Sequence, residues 1–469
     1  MNNKLVRSLR EAIQATGLKS GDTISFHHHL RNGDYVLNMV LDEIADMGIR
    51  DLTVNASSLF DSQAPLIEHI KNGVVKKIIT DYMSGGIGHA ISGGVMGEPV
   101  QFRTHGGRAS AIEDGTTPVD VAFIAAPSAD PMGNLTGKIG KSACGSLGYA
   151  FADAMYAKRV VAITDNLMPY PMTEWSIPEN YVDYVVEVDA IGDPNGIVSG
   201  TTKITRDPVG LVIAKRAVDV ICASGLLKDG FSFQTGAGGA TLAAAKFLKD
   251  VMLRDNLKGS FGLGGITGYM VDMLNDGCFQ SLLDVQCFDL KAVESIRTNP
   301  KHREISGMQY AGPGSKSSAV ESLDVVLLGA TEVDTDFNVN VHTDSNGLIM
   351  GGSGGHTDTA AGAKLAMILA PFFRARLPLV TDRVTTISTP GRDIDVVVTQ
   401  AGIAVNPKNE ELAERLKSAG LPIRSISELK AEAESVTGVP KRPVHGDKVV
   451  AEVIGRDGEV LDKIYNVEK

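Results

Sequence analysis

The sequence has no run of lysines and arginines, no closely spaced cysteines and no long apolar stretch. Each absence excludes a class of protein. Lys+Arg number 45 against 56 Asp+Glu, a net charge of −11, so nucleic acid and anionic membrane are poor partners. An anionic ligand must be held locally, by helix N-termini or single arginines. No stretch reaches the roughly 18 apolar residues of a membrane span. The opening MNNKLVRSLREAIQ is charged and amphipathic and lacks the apolar core of a signal peptide, so the cytoplasm is the expected location. Cys144, Cys222, Cys278 and Cys287 form no CxxC, which fits reduced, mostly buried thiols. His27-His28-His29 has no cysteines or carboxylates nearby at ligand spacing, so no metal is expected. The GAGGAT run at Gly236 lacks the third glycine of a dinucleotide fingerprint, no GK[ST] closes a Walker loop, and no GxSxG elbow occurs. NAD- and ATP-dependent chemistry is thereby disfavoured.

What is present is a design written twice. Val119–Leu135, VDVAFIAAPSADPMGNL, joins a small apolar run suited to a strand buried on both faces to a polar, acidic turn. Moved by 204 positions, Asp120, Val121, Ala126, Asp130 and Asn134 fall on Asp324, Val325, Ala330, Asp334 and Asn338. Ala15-Thr16-Gly17-Leu18 likewise resembles Ala223-Ser224-Gly225-Leu226, and Ile24-Ser25-Phe26 resembles Phe231-Ser232-Phe233. The matches are collinear. At 469 residues the chain is too long for one ordinary core. Strands are expected at 23–26, 51–54, 76–80, 99–103, 119–126 and 158–164, with helices over 4–20 and through Val36, Val40, Ile44 and Met47. This alternation predicts an α/β fold of two similar open domains with mostly parallel sheets and a site between them. The first is expected over 1–205 and the second over 206–469, joined near 195–215. A helical and hairpin tail from about 405, turning at Gly455-Arg456-Asp457-Gly458, reads as an appendage of the second domain.

The 51 glycines gather in clusters, which suggests tight turns at sites. Four stand out, containing Gly85, Gly86 and Gly88; Gly106 and Gly107; Gly262, Gly264 and Gly265; and Gly351, Gly352, Gly354 and Gly355. Strand–helix turns of this kind expose backbone N–H groups suited to phosphates, carboxylates or an oxyanion, although any single cluster could be a plain turn. Arg31, Arg103 and Arg108 lie near strand ends of the first half. Arg108 with His105 suits a polycarboxylate, and His356 lies between Gly355 and Asp358 as a second imidazole of interest. Glu98, Glu113, Glu332 and Asp358 are the carboxylates considered as base or nucleophile.

SGGIGHAISGGVMGEPV, RTHGGRASAIEDG, VDVAFIAAPSADPMGNLTG and GLIMGGSGGHTDTAAGAK together resemble the α subunits of citrate lyase, the citrate CoA-transferase chains. The Pro127–Asn134 turn and the Gly351–Asp358 cluster are shared more widely among acyl-CoA:carboxylate CoA-transferases. The resemblance implies a transferase that replaces acetyl by citryl on the CoA-like prosthetic group of an acyl carrier protein, with no tightly bound cofactor of its own. It also implies assembly with a β (citryl lyase) subunit and the γ carrier, as an oligomer, with citrate, acetate and acyl-CoA as small-molecule partners. Covalent-type members carry a nucleophilic glutamate soon after a GxGGIP-like loop. Here Gly262–Thr267 matches the loop, but Leu282–Phe288 contains no glutamate, and Asp284 is a weak substitute. Two alternatives stay open: a covalent-type transferase acting on simple acids, and a non-catalytic scaffold of a larger complex.

Overall fold

All six residues of Val121–Ala126 are buried, as an unbroken run of small apolar side chains predicts for an interior parallel strand. The computed structural model describes residues 4–198, 203–441 and 443–467, so part of the expected junction, 199–202, lies outside the described residues. The first half supplies β1 (Leu5–Val6), β2 (Thr23–Phe26), β3 (Leu52–Ala56), β4 (Val75–Thr80), β5 (Val100–Phe102), β6 (Val121–Ala126), β7 (Arg159–Thr164) and β8 (Tyr184–Glu187). They lie in the order β1-β8-β7-β6-β2-β3-β4-β5, all parallel. The second half supplies β9 (Phe233–Thr235), β10 (Gly259–Ile266), β11 (Phe279–Cys287), β12 (His302–Glu304), β13 (Val325–Leu328), β14 (Leu365–Leu369), β15 (Val396–Val398) and β16 (Ile403–Val405). Their order is β12-β11-β10-β9-β13-β14-β15-β16, parallel except for the last pair. Chain direction across each sheet therefore reverses at one point, between β6 and β2 in the first and between β9 and β13 in the second. Loops leaving the carboxyl ends of strands diverge at such points and open a crevice.

The repeat holds at atomic detail. Asp120 accepts from the Thr23 backbone N–H (2.8 Å) and pairs with Lys158; Asp324 accepts from the Ser232 N–H (2.9 Å) and pairs with Lys364. Each aspartate ties the start of one central strand to its neighbour. The acidic turns match as well. Asp130 accepts from the backbone N–H and the side-chain amide of Asn134 (3.1 and 2.8 Å), and Asp334 does the same with Asn338 (2.9 and 3.1 Å). These carboxylates close their own loops and are not available as catalysts.

Two local expectations need correction. The helix expected over 4–20 begins only at Leu9, capped by Ser8, because Leu5–Val6 pairs with Val185–Val186 at the sheet edge. The tail, expected on the second domain, divides. Its helices Glu410–Ser418 and Ile426–Thr437 stay with the second half. Its hairpin, β17 (His445–Ile454) and β18 (Val460–Val467), crosses back to the first sheet, where Ala451 and Val453 pair with Val100 and Phe102 of β5. The reason is an open edge: β5 has no other neighbour on that side, and β17 offers alternate buried residues to cover it. The main apolar core runs through both halves. Among the described residues no helix is long and apolar enough to cross a membrane.

Candidate active site

A cleft of about 330 Å³ lies between the halves, at both reversal points. Its walls come from residues just beyond β2, β9 and β13 and from loops of both halves. His28 and Arg31 follow β2, Thr235–Ala237 follow β9, Gly329 follows β13, and Gln286 and Phe288 stand at the end of β11. Two helices begin at the cleft, α2 (His105–Glu113) and α4 (His356–Gly362), while α1 (Gly85–Ser92) and α3 (Gly239–Arg254) place no residue in its wall.

Arg31 is the cation of the cleft. Its guanidinium lies between two phenyl rings, 5.4 Å from the centroid of Phe60 and 4.9 Å from that of Phe288, one from each half. It forms no ion pair among the described residues, and its buried Nη1 has no hydrogen-bond partner there. Burial lowers its pKa, the cost of a charge without a counter-ion. Its backbone has φ +52°, a left-handed conformation that a side chain other than glycine adopts only where the surroundings hold it. Arg108, the arginine expected to meet a carboxylate, does not line the cleft. It is 2% exposed and committed to Asp153 (2.7 and 3.1 Å) and to Asn55 (2.7 Å). Arg103 does not line it either.

His105 does line the cleft. It is the first residue of α2, held there because the Thr104 side chain caps the helix and accepts from Gly107. Its Nδ1 lies 2.8 Å from Oδ2 of Asp81, the fully buried residue after β4. Burial raises the pKa of Asp81, and the bond to His105 opposes that rise. On the cleft side the His105 ring packs 4.3 Å from Tyr149 and 5.6 Å from His28. His28 is itself fixed by Ser57 Oγ (2.6 Å). Beneath it, the Ala125 N–H bonds Nε2 of His27 (2.9 Å), so the His27 proton sits on Nδ1, which faces Nδ1 of His29. Burial holds all three of these imidazoles neutral, His27 at about 4.

The glycine clusters serve close packing, and at Gly88, Gly106, Gly352 and Gly354 they let the halves touch. The Gly351–Gly355 loop of the second half lies across the first. Gly354 N–H donates to the Asp81 carbonyl (3.1 Å), and its own carbonyl accepts from the His105 N–H (2.9 Å). A Cβ on Gly352 would stand 2.3 Å from the Asp81 carbonyl oxygen, and one on Gly351 would stand 2.4 Å from that of Val341. Gly352, Gly354 and Gly355 line the cleft, and Gly351 does not. Gly85, Gly86 and Gly88 do not: the Gly86 N–H is given to Asp61, and Gly88 admits the Ile349 backbone. In β10, Gly265 lines the cleft beneath Phe288, Gly264 sits at a bulge with φ +99°, and Gly262 packs against Met270 in the interior. The expectation that these loops donate N–H groups to an anion or oxyanion meets the difficulty that several donors are already used.

His356 opens α4 at the cleft, with Nδ1 on Thr389 Oγ1 (2.8 Å) and Nε2 on the Gly329 carbonyl (2.9 Å). Burial lowers its pKa to about 4. Asp358 is buried in the seam, not in the cleft. It accepts the Gly106 N–H (2.9 Å), with Arg456 at 3.9 Å, and burial raises it to about 6. Glu98 is an exposed partner of Lys76, Glu113 is exposed and bonds Tyr156, and Glu332 accepts from Thr385 and Asn340 away from the cleft. Asp284 is wholly buried behind the wall. With Cys287 and His302 it forms a closed trio in which its Oδ2 meets the thiol at 3.0 Å and the imidazole at 2.8 Å. Sequence reasoning passed over Asp81, Tyr149, Gln286 and Phe288, and weighed His28 only as a metal ligand. His28, Asp81, Gln286 and Phe288 carried a usable signal, since each stands at or just beyond the carboxyl end of a strand.

The pattern of the family "Citrate lyase, alpha subunit (CitF)" matches residues 2–467. The citrate lyase alpha chain of Klebsiella pneumoniae is 51% identical over 465 residues, covering 99% of this chain and 92% of that protein. A crystal structure from Streptococcus mutans, of an α subunit of citrate lyase in complex with citrate, superposes with a TM-score of 0.98 at 50% identity, covering 100% of this chain and 92% of the other. The malonate decarboxylase α subunit of Acinetobacter baumannii, at 16% identity and TM-score 0.70 over 94% of this chain and 90% of its own, shares the fold. The chain belongs to the citrate lyase α-subunit family.

Proposed function

We propose that the cleft exchanges acetyl for citryl on a CoA-type thioester, so that acetyl-carrier and citrate give citryl-carrier and acetate. One observation carries this reading: a half-buried guanidinium without a counter-ion among the described residues, that of Arg31, whose buried Nη1 has no partner there, faces a cleft with no aspartate or glutamate among its described lining residues. A polycarboxylate supplies the missing negative charge. A wall without carboxylates leaves citrate itself as the nucleophile, attacking the acetyl thioester in a ternary complex to give a mixed anhydride, which then exchanges. The complex of the Streptococcus mutans relative with citrate supports citrate as the acid. The amino end of α3 meets the cleft rim at Gly236–Ala237, a position suited to phosphate groups of a CoA-like carrier. That carrier group arrives on a γ acyl carrier protein, and a β subunit cleaves the citryl thioester, in the cytoplasm. The protein needs no tightly bound cofactor of its own.

Incubation with acetyl-CoA or acetyl-carrier and citrate should release acetate in proportion to citryl thioester formed. No release with either donor, from folded protein, sinks the reading. The ternary route predicts that hydroxylamine or borohydride added after acetyl-CoA leaves activity intact, and that no CoA-sized adduct is found on an acidic residue by mass spectrometry.

A further inference from the structure

Attack of a carboxylate on a thioester has an intrinsic problem of partition. The tetrahedral adduct can expel either the incoming carboxylate or the thiolate. A carboxylic acid ionises near pH ~4 and a thiol near ~8.5, so the carboxylate is much the better leaving group and the adduct reverts. Forward collapse therefore needs a proton, or a proton donor, at the sulfur. The cleft contains one arrangement built to supply it.

His105 presents Nε2 toward the cleft, and that nitrogen has no hydrogen-bond partner among the described residues. Its other nitrogen is fixed on Asp81 at 2.8 Å, and Asp81 is 0% exposed, with Oδ1 free of any partner there. An imidazole held this way has one tautomer and one orientation when neutral, and gains a charged partner when protonated. The surroundings keep the ring in place from every side. Tyr149 and His28 stack against it, and the Gly354 backbone closes over it so tightly that a Cβ there would lie 3.1 Å from Nε2. The charged and titratable groups around it are Asp81, Asp358, Tyr149, His28 and His29; burial holds the two histidines and the tyrosine among these neighbours uncharged and raises Asp358 to about 6.

The geometry points to the Asp81–His105 pair as the acid–base group of the acyl exchange, with His105 catalytic and Asp81 positioning it. This rests on the transferase reading above. In the first half, a citrate carboxylate oxygen bonds the acetyl carbon, the C–S bond breaks, and the sulfur takes the Nε2 proton of the imidazolium. The products are the mixed anhydride, a neutral thiol and a neutral imidazole. In the second half, Nε2 takes that proton back as the sulfur bonds the citryl carbon and acetate departs with its electron pair. Charge and protons balance over the cycle.

The test compares acetyl-CoA with its selenium analogue, acetyl-seleno-CoA, which has nearly the same shape but whose selenolate leaves without protonation. His105→Gln should lower kcat with acetyl-CoA and citrate by about 100-fold, the ordinary scale of acid–base assistance. With the seleno-ester the loss should be less than a tenth as large. Asp81→Asn should show the same preference for selenium with a smaller loss, and serves where His105→Gln does not fold. Equal losses on both esters, or no loss on acetyl-CoA, would overturn the assignment. If the unaltered protein turns over neither these esters nor acetyl-carrier, the transferase reading itself fails, and the dyad falls with it.

Discussion

At the scale of single residues, the cleft combines one unpaired cation with two imidazoles, His28 and His356, that burial keeps neutral. Arg31 has a fixed plane between Phe60 and Phe288, so it offers two parallel N–H donors to a carboxylate rather than a diffuse charge. Arg31→Gln should raise KM for citrate and lower kcat/KM by roughly 30- to 150-fold, about 2–3 kcal/mol for a charged hydrogen bond. KM for acetyl-CoA should move little. Arg31→Lys should recover little of the loss, because an ammonium has neither the plane nor the fork. Recovery by lysine would mean that charge alone suffices. His356 gives a different kind of prediction. Unfolded, its ring protonates near pH 6.5; folded, burial delays this to about 4. The stability it contributes is therefore fully present above pH 6.5 and is lost as pH falls through about 4. His356→Gln can still bond Thr389 and Gly329 but cannot titrate. Its thermal midpoint should fall less steeply than that of the parent protein between pH 7 and 4. Parallel slopes would show that the ring protonates freely in the folded chain.

At the scale of elements, the loop Gly351–Gly355 fixes the ends of β4 and α2. Gly352→Ala places a methyl group 2.3 Å from the Asp81 carbonyl oxygen, which is backbone and cannot move aside as a side chain does. The expected cost is about 1–3 kcal/mol of stability, with loss of turnover as Asp81 and His105 shift. Gly97→Ala is the control, since nothing lies within 4 Å of its Cβ position and the backbone is unstrained there. Equal thermal midpoints and activity for the two variants would remove this role from the loop. These elements also show what a sequence carries. Val121–Ala126 and Val325–Leu328 were legible because burial on both faces writes itself as an uninterrupted apolar run. The repeat was legible because Asp120 and Asp324, Asp130 and Asp334 make local bonds that fix their spacing. The site was legible only as strand ends. Nothing near Arg108 in sequence announces Asp153, 45 residues away, and nothing near Arg31 announces that Phe288 covers it. The glycines read as anion cradles because the backbone they accommodate, at Ile349, Asp81 or Ala311, belongs to a distant segment.

At the scale of the whole molecule, the cleft is only as stable as the seam between the halves, and the last 25 residues tie that seam. The hairpin β17–β18 completes the first sheet by pairing Ala451, Glu452 and Val453 with Val100, Gln101 and Phe102. From the same hairpin Arg456 reaches Glu321 (3.0 Å) and approaches Asp358, while Asp462 accepts the Ile387 N–H (2.9 Å), all in the second half. One short element thus pairs with the first sheet and bonds the Glu321, Asp358 and Ile387 segments of the second half. Ending the chain after Val444 would bare the edge of β5, where Val100 and Phe102 are now fully buried, and would leave Asp358 without its nearby cation. Such an edge pairs readily with another chain. The truncated protein should show a lower thermal midpoint, association detectable by light scattering, and loss of acetate release. Arg456→Ala, which keeps the strand pairing and removes only the cation, should lower the midpoint by a smaller amount and keep the protein free of association. If the truncated chain retains both its midpoint and its turnover, the hairpin does not hold the halves together, and the covalent linker and the shared core alone would have to define the cleft.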